Sequence, residues 1–127
     1  MNFFDRRDLF GALDLGTTNC RLLVARPVGN RLRVVDSFSR IVRLGEGLGS
    51  SGVLSELAMV RTIEALRICS AKLQSRNVTY ARFVATEACR SAANCGDFLG
   101  RVRAATGLEL EIIPTGEEAR LALVGCT

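Results

Sequence analysis

Ala12-Leu13-Asp14-Leu15-Gly16-Thr17-Thr18-Asn19-Cys20-Arg21-Leu22 is the stretch that decides the fold. The apolar run Phe10 to Leu15 ends at Asp14-Leu15-Gly16, and a second run, Arg21 to Arg26, begins after a short polar connection. Two brief apolar runs around a connection rich in Gly and hydroxyl residues read as paired strands. Pro27-Val28-Gly29-Asn30 then reads as a turn. Leu32 to Leu44, which mixes Val34, Val35, Phe38, Ile41 and Val42 with charged residues, reads as a third strand. The N-terminal part is therefore expected to be a three-stranded antiparallel meander.

Downstream the apolar period changes. From Glu56 to Arg76, Met59, Ile63, Leu66, Cys69/Ser70 and Leu73 recur in steps of three and four, which is one face of a helix. Ser55 suits the N-cap, Glu56 the first turn, and Arg67, Lys72 and Arg76 the C-terminal end of the helix dipole. A strand at Ala81 to Ala85 is followed by a helical stretch, Ala88 to Thr106, broken near Cys95-Gly96-Asp97. Asp97 is expected to cap its second half and Gly107 to end it. Leu108 to Ile113 reads as a strand, and Gly116 to Val124 as a last helix. The order β-β-β-α-β-α-β-α predicts an α/β protein with one mixed five-stranded sheet and helices on its faces.

The chain has 127 residues, a net charge of +4 and no His. Without imidazole, Ser-His-Asp and Cys-His catalysis and His-ligated zinc are excluded, so chemistry must run on carboxylates, hydroxyls, thiols, Arg or backbone amides. An apolar fraction of 48% with 24% charged residues argues against disorder. Of 17 basic residues only Lys72 is a lysine. The Arg residues are spread from Arg6 to Arg120 with few aromatics between them, so no nucleic-acid footprint is read. Cys20, Cys69, Cys89, Cys95 and Cys126 contain no C-x-x-C pair and form neither a disulfide framework nor a zinc pattern. Asp5, Arg6, Arg7 and Asp8 interrupt any signal-like start, and no segment has the length of a membrane span. The expected setting is the reducing cytoplasm.

Three segments can carry chemistry. Asp14 to Arg21 could present amides and hydroxyls to a phosphate oxygen, with Asp14 holding a hydrated Mg²⁺, or it could be a plain hairpin. Thr115-Gly116-Glu117-Glu118-Ala119-Arg120 opens the last helix. Adjacent carboxylates there suit the dipole, and only one of them can face a given cleft, where a Glu is the natural base for water. Thr86-Glu87-Ala88-Cys89-Arg90 follows a parallel strand, which places Arg90 to grip an anion or to pair with a surface acid. Gly47-Leu48-Gly49-Ser50-Ser51-Gly52 satisfies G-x-G-x-x-G, but it follows a meander strand, and Lys72 stands about twenty residues on where an acid is needed. It reads as a polar connection.

In order and spacing, the segments Ala12 to Leu22, Val42-Arg43-Leu44-Gly45-Glu46-Gly47-Leu48, Thr86 to Arg90 and Glu117-Glu118-Ala119-Arg120-Leu121 resemble the N-terminal domain of the Ppx/GppA family. That family comprises exopolyphosphatases and guanosine pentaphosphate phosphohydrolases, within the actin, hexokinase and Hsp70 superfamily. The resemblance implies a ribonuclease H-like, actin-like ATPase half-domain. It further implies a phosphate loop of Gly16, Thr17, Thr18, Asn19, Cys20 and Arg21, a polyanion contact from Arg90, and Glu118 as the group that orients or deprotonates the attacking water. Mg²⁺ is the implied cofactor, with Asp14 as its ligand. Inorganic polyphosphate or guanosine pentaphosphate is the implied substrate. Thr17-Thr18-Asn19 departs from the family's Ser-Asn-Ser. The family's second glycine-rich loop lies beyond Thr127, so residues 1–127 are expected to be one lobe, whose partners are a second lobe and a second copy of itself. A non-catalytic sensor domain of the same fold is the alternative. A sugar or acid kinase is a weaker one, disfavoured by Glu117-Glu118-Ala119-Arg120.

Overall fold

In a computed structural model, which describes residues 8–113, β1 (Phe10–Leu15) and β2 (Asn19–Val28) pair antiparallel, with Asp14 opposite Arg21 and Leu15 opposite Cys20. β3 (Arg31–Ile41) continues the meander on the far side of β2. Gly29, at φ 62°, makes the turn between them. The strands overrun the sequence reading at this hairpin, since Pro27 and Val28 belong to β2. Pro27 is tolerated because β1 pairs β2 only as far as Ala25, so no ladder needs its missing N–H on that side.

β4 (Tyr80–Ala85) lies parallel to β1 in register Phe10 to Tyr80 through Leu15 to Ala85. β5 (Glu111–Ile112) is parallel to β4, giving the order β3-β2-β1-β4-β5. The mixed five-stranded sheet is as expected. β5 is shorter than the expected Leu108 to Ile113: Leu108 is still engaged in leaving the preceding helix, its N–H donating to Thr106 Oγ1 at 3.1 Å, while at the other end the Ile113 N–H still donates to the Ala85 carbonyl at 3.0 Å.

α1 (Leu48–Ser51) is a single helical turn within the segment that the sequence suggested as a polar connection. Gly47 and Gly52, at φ 77° and 75°, bracket it, and the Ser50 and Ser51 hydroxyls donate back to the Gly47 carbonyl. α2 (Glu56–Ser75) matches its periodicity, with Ser55 Oγ accepting from the Ala58 amide at 3.1 Å. Its buried side, including Ala65, Leu66, Cys69 and Leu73, packs on the sheet face made by Leu13, Leu15, Cys20, Leu22 and Val24. The approach is close, since a Cβ on Gly11 would lie 2.7 Å from Leu73 Cδ2.

The second helical stretch divides into α3 (Glu87–Ser91) and α4 (Cys95–Thr106). The break falls at Ala92–Asn94, earlier than the Cys95-Gly96-Asp97 expected from sequence. Asn94, and not Asp97, occupies the N-cap position, while Asp97 sits in the first turn, where its charge complements the dipole. The Asn94 amide is committed elsewhere. Its Oδ1 accepts from the Leu54 N–H at 2.8 Å and its Nδ2 donates to the Leu54 carbonyl at 3.0 Å. α4 packs on α2 through fully buried Phe98 and Val102, and the Ser70 hydroxyl donates to the Thr106 carbonyl. Arg101 forks onto both carboxylate oxygens of Glu56 at 2.8 and 2.9 Å. Gly107 ends α4 at φ 77°, as its position predicts. The expected helix Gly116 to Val124 lies outside the described residues. Among those described, no helix is long and apolar enough to cross a membrane.

Two stability outcomes follow from these contacts. Asn94→Ala leaves a buried amide and carbonyl of Leu54 without their partners, so chemical denaturation should show a loss of about 1–3 kcal/mol. Asp36 on β3 receives Lys72 Nζ at 3.2 Å and Arg76 Nε at 3.4 Å. The hydrogen bond from Lys72, outweighing a small opposing effect of burial, holds the Asp36 carboxyl below the usual carboxylate range. A depressed folded-state pKa stabilises above the unfolded value and is lost as pH falls through the folded one. The stability difference between the native protein and Asp36→Asn, read from urea midpoints, should therefore be full at neutral pH and shrink below about pH 4.

Candidate functional site

β1 and β4 are parallel neighbours and deliver the chain to one edge of the sheet, Gly16 following Leu15 and Thr86 following Ala85. Ligands of open α/β sheets bind outside such strand ends. The Gly16 N–H donates to the Asn19 carbonyl at 2.9 Å, which closes a turn around Thr17 and Thr18. Thr86 locks the neighbouring strand end to it, its N–H and Oγ1 both donating to the Leu15 carbonyl at 3.1 and 3.4 Å.

A third segment arrives from the end of β3. The N–H groups of Val42 and Arg43 donate to the Thr18 carbonyl at 2.8 and 3.0 Å, and that of Gly45 donates to the Thr17 carbonyl at 3.1 Å. Carbonyl and N–H point in opposite directions across a planar trans peptide. With both carbonyls turned toward residues 42–45, the Thr18 and Asn19 N–H groups are turned away from them. Thr17 and Thr18 are exposed. The turn thus offers amides and hydroxyls on its outer side, which is the equipment of an anion cradle.

Gly45 makes this clasp possible. A Cβ there would stand 2.5 Å from Thr17 Cγ2 and 3.6 Å from the Ala88 Cβ, so the start of α3 closes on the same point. Arg61, on α2, fixes the clasp from behind: Nε donates to the Val42 carbonyl at 2.9 Å, and Nη2 reaches the Arg43 carbonyl at 3.3 Å and Glu46 Oε2 at 2.7 Å. Glu46 is therefore occupied in positioning. Arg61 escaped the sequence reading because nothing in a helical Arg signals a carbonyl target fifteen or more residues upstream.

The sequence candidates are distributed as follows. Gly16, Thr17, Thr18 and Asn19 form the turn, Arg21 is exposed on β2, and Arg90 is exposed on α3. Cys20 is a correction at the level of its side chain. The alternation of β2 sends it into the core, 4.0 Å from Cys69 Sγ, where that hydrogen bond and burial push its thiol up. Its backbone lies in β2 opposite Leu15, directly after the turn. Asp14, on β1 one residue before the strand end, is half-buried with Oδ1 out of solvent. Glu117 and Glu118 lie outside the described residues.

Among the described side chains, the donor set at this end of β1 is the Asp14 carboxylate with adjacent hydroxyls. Among the described residues no three His, Cys, Asp or Glu side chains gather as a metal cluster. A single carboxylate does not suit zinc or calcium, which need several protein ligands. It does suit Mg²⁺, which keeps waters and takes one or two carboxylates together with substrate phosphate.

Residues 23–127 match the pattern of the Ppx/GppA phosphatase family. The chain is similar to the Aquifex aeolicus Ppx/GppA family member, at 31% identity and a TM-score of 0.84 over 89% of this chain and 37% of that one. It is also similar to an exopolyphosphatase from Cytophaga hutchinsonii, at 27% identity and a TM-score of 0.83 over 90% of this chain and 36% of that one. It thus spans little more than a third of the length of these solved relatives. The sheet and its helices have the actin-like ATPase type of fold that the sequence motifs implied.

The clasp generates a test of its own. Gly45→Ala drives a methyl into Thr17 Cγ2 and should cost about 1–3 kcal/mol in denaturation, together with weaker binding of tripolyphosphate. Thr17→Ser removes the opposing methyl while keeping the hydroxyl. The Gly45→Ala/Thr17→Ser pair should recover both properties, and a pair no better than Gly45→Ala alone would dissociate the glycine from the turn.

Proposed function

The chain belongs to the Ppx/GppA phosphatase family, and from that premise we propose that residues 1–127 are the N-terminal lobe of a phosphoanhydride hydrolase. The reaction is release of the terminal phosphate of inorganic polyphosphate or of a guanosine pentaphosphate, in the cytoplasm, with a second lobe forming the opposite wall of the cleft. The observation that carries the reading is the clasp at the ends of β1 and β4. It turns the Thr17-Thr18 turn outward on the sheet edge that bears Asp14 and leads into α3 with Arg90.

In this reading the terminal phosphate lies over the turn, where the Thr18 N–H and the Thr17 and Thr18 hydroxyls bind its oxygens, helped by Gly16 and Asn19. Arg21 and Arg90 neutralise the polyanion, as planar guanidinium forks do well. Asp14, through water, is the group that would hold Mg²⁺, and the ion when bound would offset charge on the phosphate oxygens. Glu118 takes a proton from the attacking water, whose oxygen bonds to the terminal phosphorus as the bridging P–O bond breaks. Phosphoryl transfer of this kind rests mostly on positioning and charge stabilisation, which agrees with a chain that has no His.

The test is made in the full-length protein by titration calorimetry with tripolyphosphate, with and without Mg²⁺, beside a phosphate-release assay. Glu118→Gln should lower release by about 100-fold or more while binding changes by less than about twofold. Arg90→Ala should weaken binding by about tenfold. Undiminished release from Glu118→Gln would overturn the assignment of the base. Tight binding without release by the unaltered protein would identify a sensor in place of a hydrolase.

A further inference from the structure

Cys89, near the end of α3, and Cys95, the first residue of α4, carry free thiols whose sulfurs are 2.9 Å apart. The fold brings them together by two successive turns: the Ala92 N–H donates to the Cys89 carbonyl and the Cys95 N–H to the Ala92 carbonyl. The intervening residues are themselves anchored. The Ala93 N–H donates to the Gly52 carbonyl at 2.9 Å, and Asn94 bridges to Leu54. The juxtaposition is therefore imposed by the surrounding structure.

We propose that Cys89 and Cys95 form an oxidative modification site, closing reversibly to a disulfide under a peroxide-class oxidant and thereby restraining the helix that carries Arg90. Bond formation needs roughly 0.9 Å of further approach by the two sulfurs, within the reach of small side-chain rotations. Cys95 is half-buried and Cys89 buried, which assigns the order of events. The Cys95 thiolate attacks a peroxide oxygen, and the O–O bond breaks to give Cys95–SOH and hydroxide. The Cys89 sulfur then attacks the Cys95 sulfur, the S–O bond breaks, and the departing hydroxide leaves as water with the Cys89 proton. In sum, two thiols and one hydrogen peroxide give one disulfide and two waters.

Burial pushes the Cys89 thiol up, so it is the less reactive of the two toward oxidant in solution and fits the second step. The chain supplies an internal control. Cys20 and Cys69 also face each other, but at 4.0 Å and with neither side chain open to solvent. They should stay reduced under the same treatment.

The consequence for binding rests on the function proposed above, because Arg90 follows Cys89 directly. The disulfide ties Cys89 to the first turn of α4 and so restricts the adjustment of Arg90 to a bound polyanion. Oxidised protein should bind tripolyphosphate several-fold more weakly than reduced protein, with recovery on adding dithiothreitol.

The test treats the full chain with hydrogen peroxide and digests it with trypsin without reduction. Residues 83–90 and 91–101 should appear as one linked species, about 2 Da lighter than the two peptides together, and separate on reduction. Cys95→Ser and Cys89→Ser should each abolish that species. Linkage of either cysteine to Cys126 or to a second molecule, or over-oxidation of Cys95 with no linked species, would overturn the site. A linked species with unchanged tripolyphosphate affinity would overturn its coupling to Arg90. Failure of both redox forms to bind tripolyphosphate would count against the proposed function and leave the mapped disulfide standing.

Discussion

The hydrogen bonds from Val42, Arg43 and Gly45 to the carbonyls of Thr17 and Thr18 are the constraint on which the rest of the site depends. They join the first turn of the sheet to the chain leaving its edge strand, and in doing so fix which way the Thr17-Thr18 turn faces. Every other contact there builds on that orientation. Thr86 ties β4 to the same corner through the Leu15 carbonyl, Ala88 closes on Gly45, and Arg61 pins the clasp to α2. A two-residue turn alone would have only one hydrogen bond to hold it. Here the carbonyl side is satisfied by protein, and the N–H side of the same peptide planes faces away from the clasp.

Much of this was legible in the residues because the governing effects are local. β1 needed only an apolar run stopped at Gly16, and α2 only a period of three to four with Ser55 in front of it. The meander followed from short connections, and the parallel β1–β4 pair from the intervening helix. The misreadings have different causes, one distant along the chain and one local. The break between α3 and α4 was assigned to Gly96 and Asp97, whose types favour breaks and caps, yet the structure breaks at Ala92–Asn94 because Asn94 and Ala93 are claimed by Leu54 and Gly52. β5 was drawn too long because apolar residues from Leu108 onward resemble a strand, whereas the exit from α4 uses the first of them.

The site divides in the same way. Asp14, the Thr17-Thr18 turn and Arg90 could be picked out as chemistry-bearing types at strand ends. Glu46 could not be given a role from its neighbours, since its partner Arg61 comes from the middle of another element. Cys20 was carried into the loop by motif continuity, while strand alternation, a signal present in the sequence, already directed its side chain to the core beside Leu22 and Val24.

Once these structural commitments are subtracted, the character of this half of the site is clear. Glu46 is held by Arg61, Cys20 lies against Cys69, and the Thr17 methyl faces Gly45. The other described groups at this end of the sheet include the Thr17 and Thr18 hydroxyls, outward amides, Arg21, Arg90 and the partly buried Asp14 carboxylate. Guanidinium groups and amides only donate, and the Thr hydroxyls have no His to activate them. These are groups suited to binding and neutralising an anion. In the reaction proposed above, a carboxylate that holds a cation does not also take the proton of the attacking water, so the two tasks fall to two side chains. In the proposed hydrolysis the cation falls to Asp14 and the proton to Glu118, which lies outside the described residues.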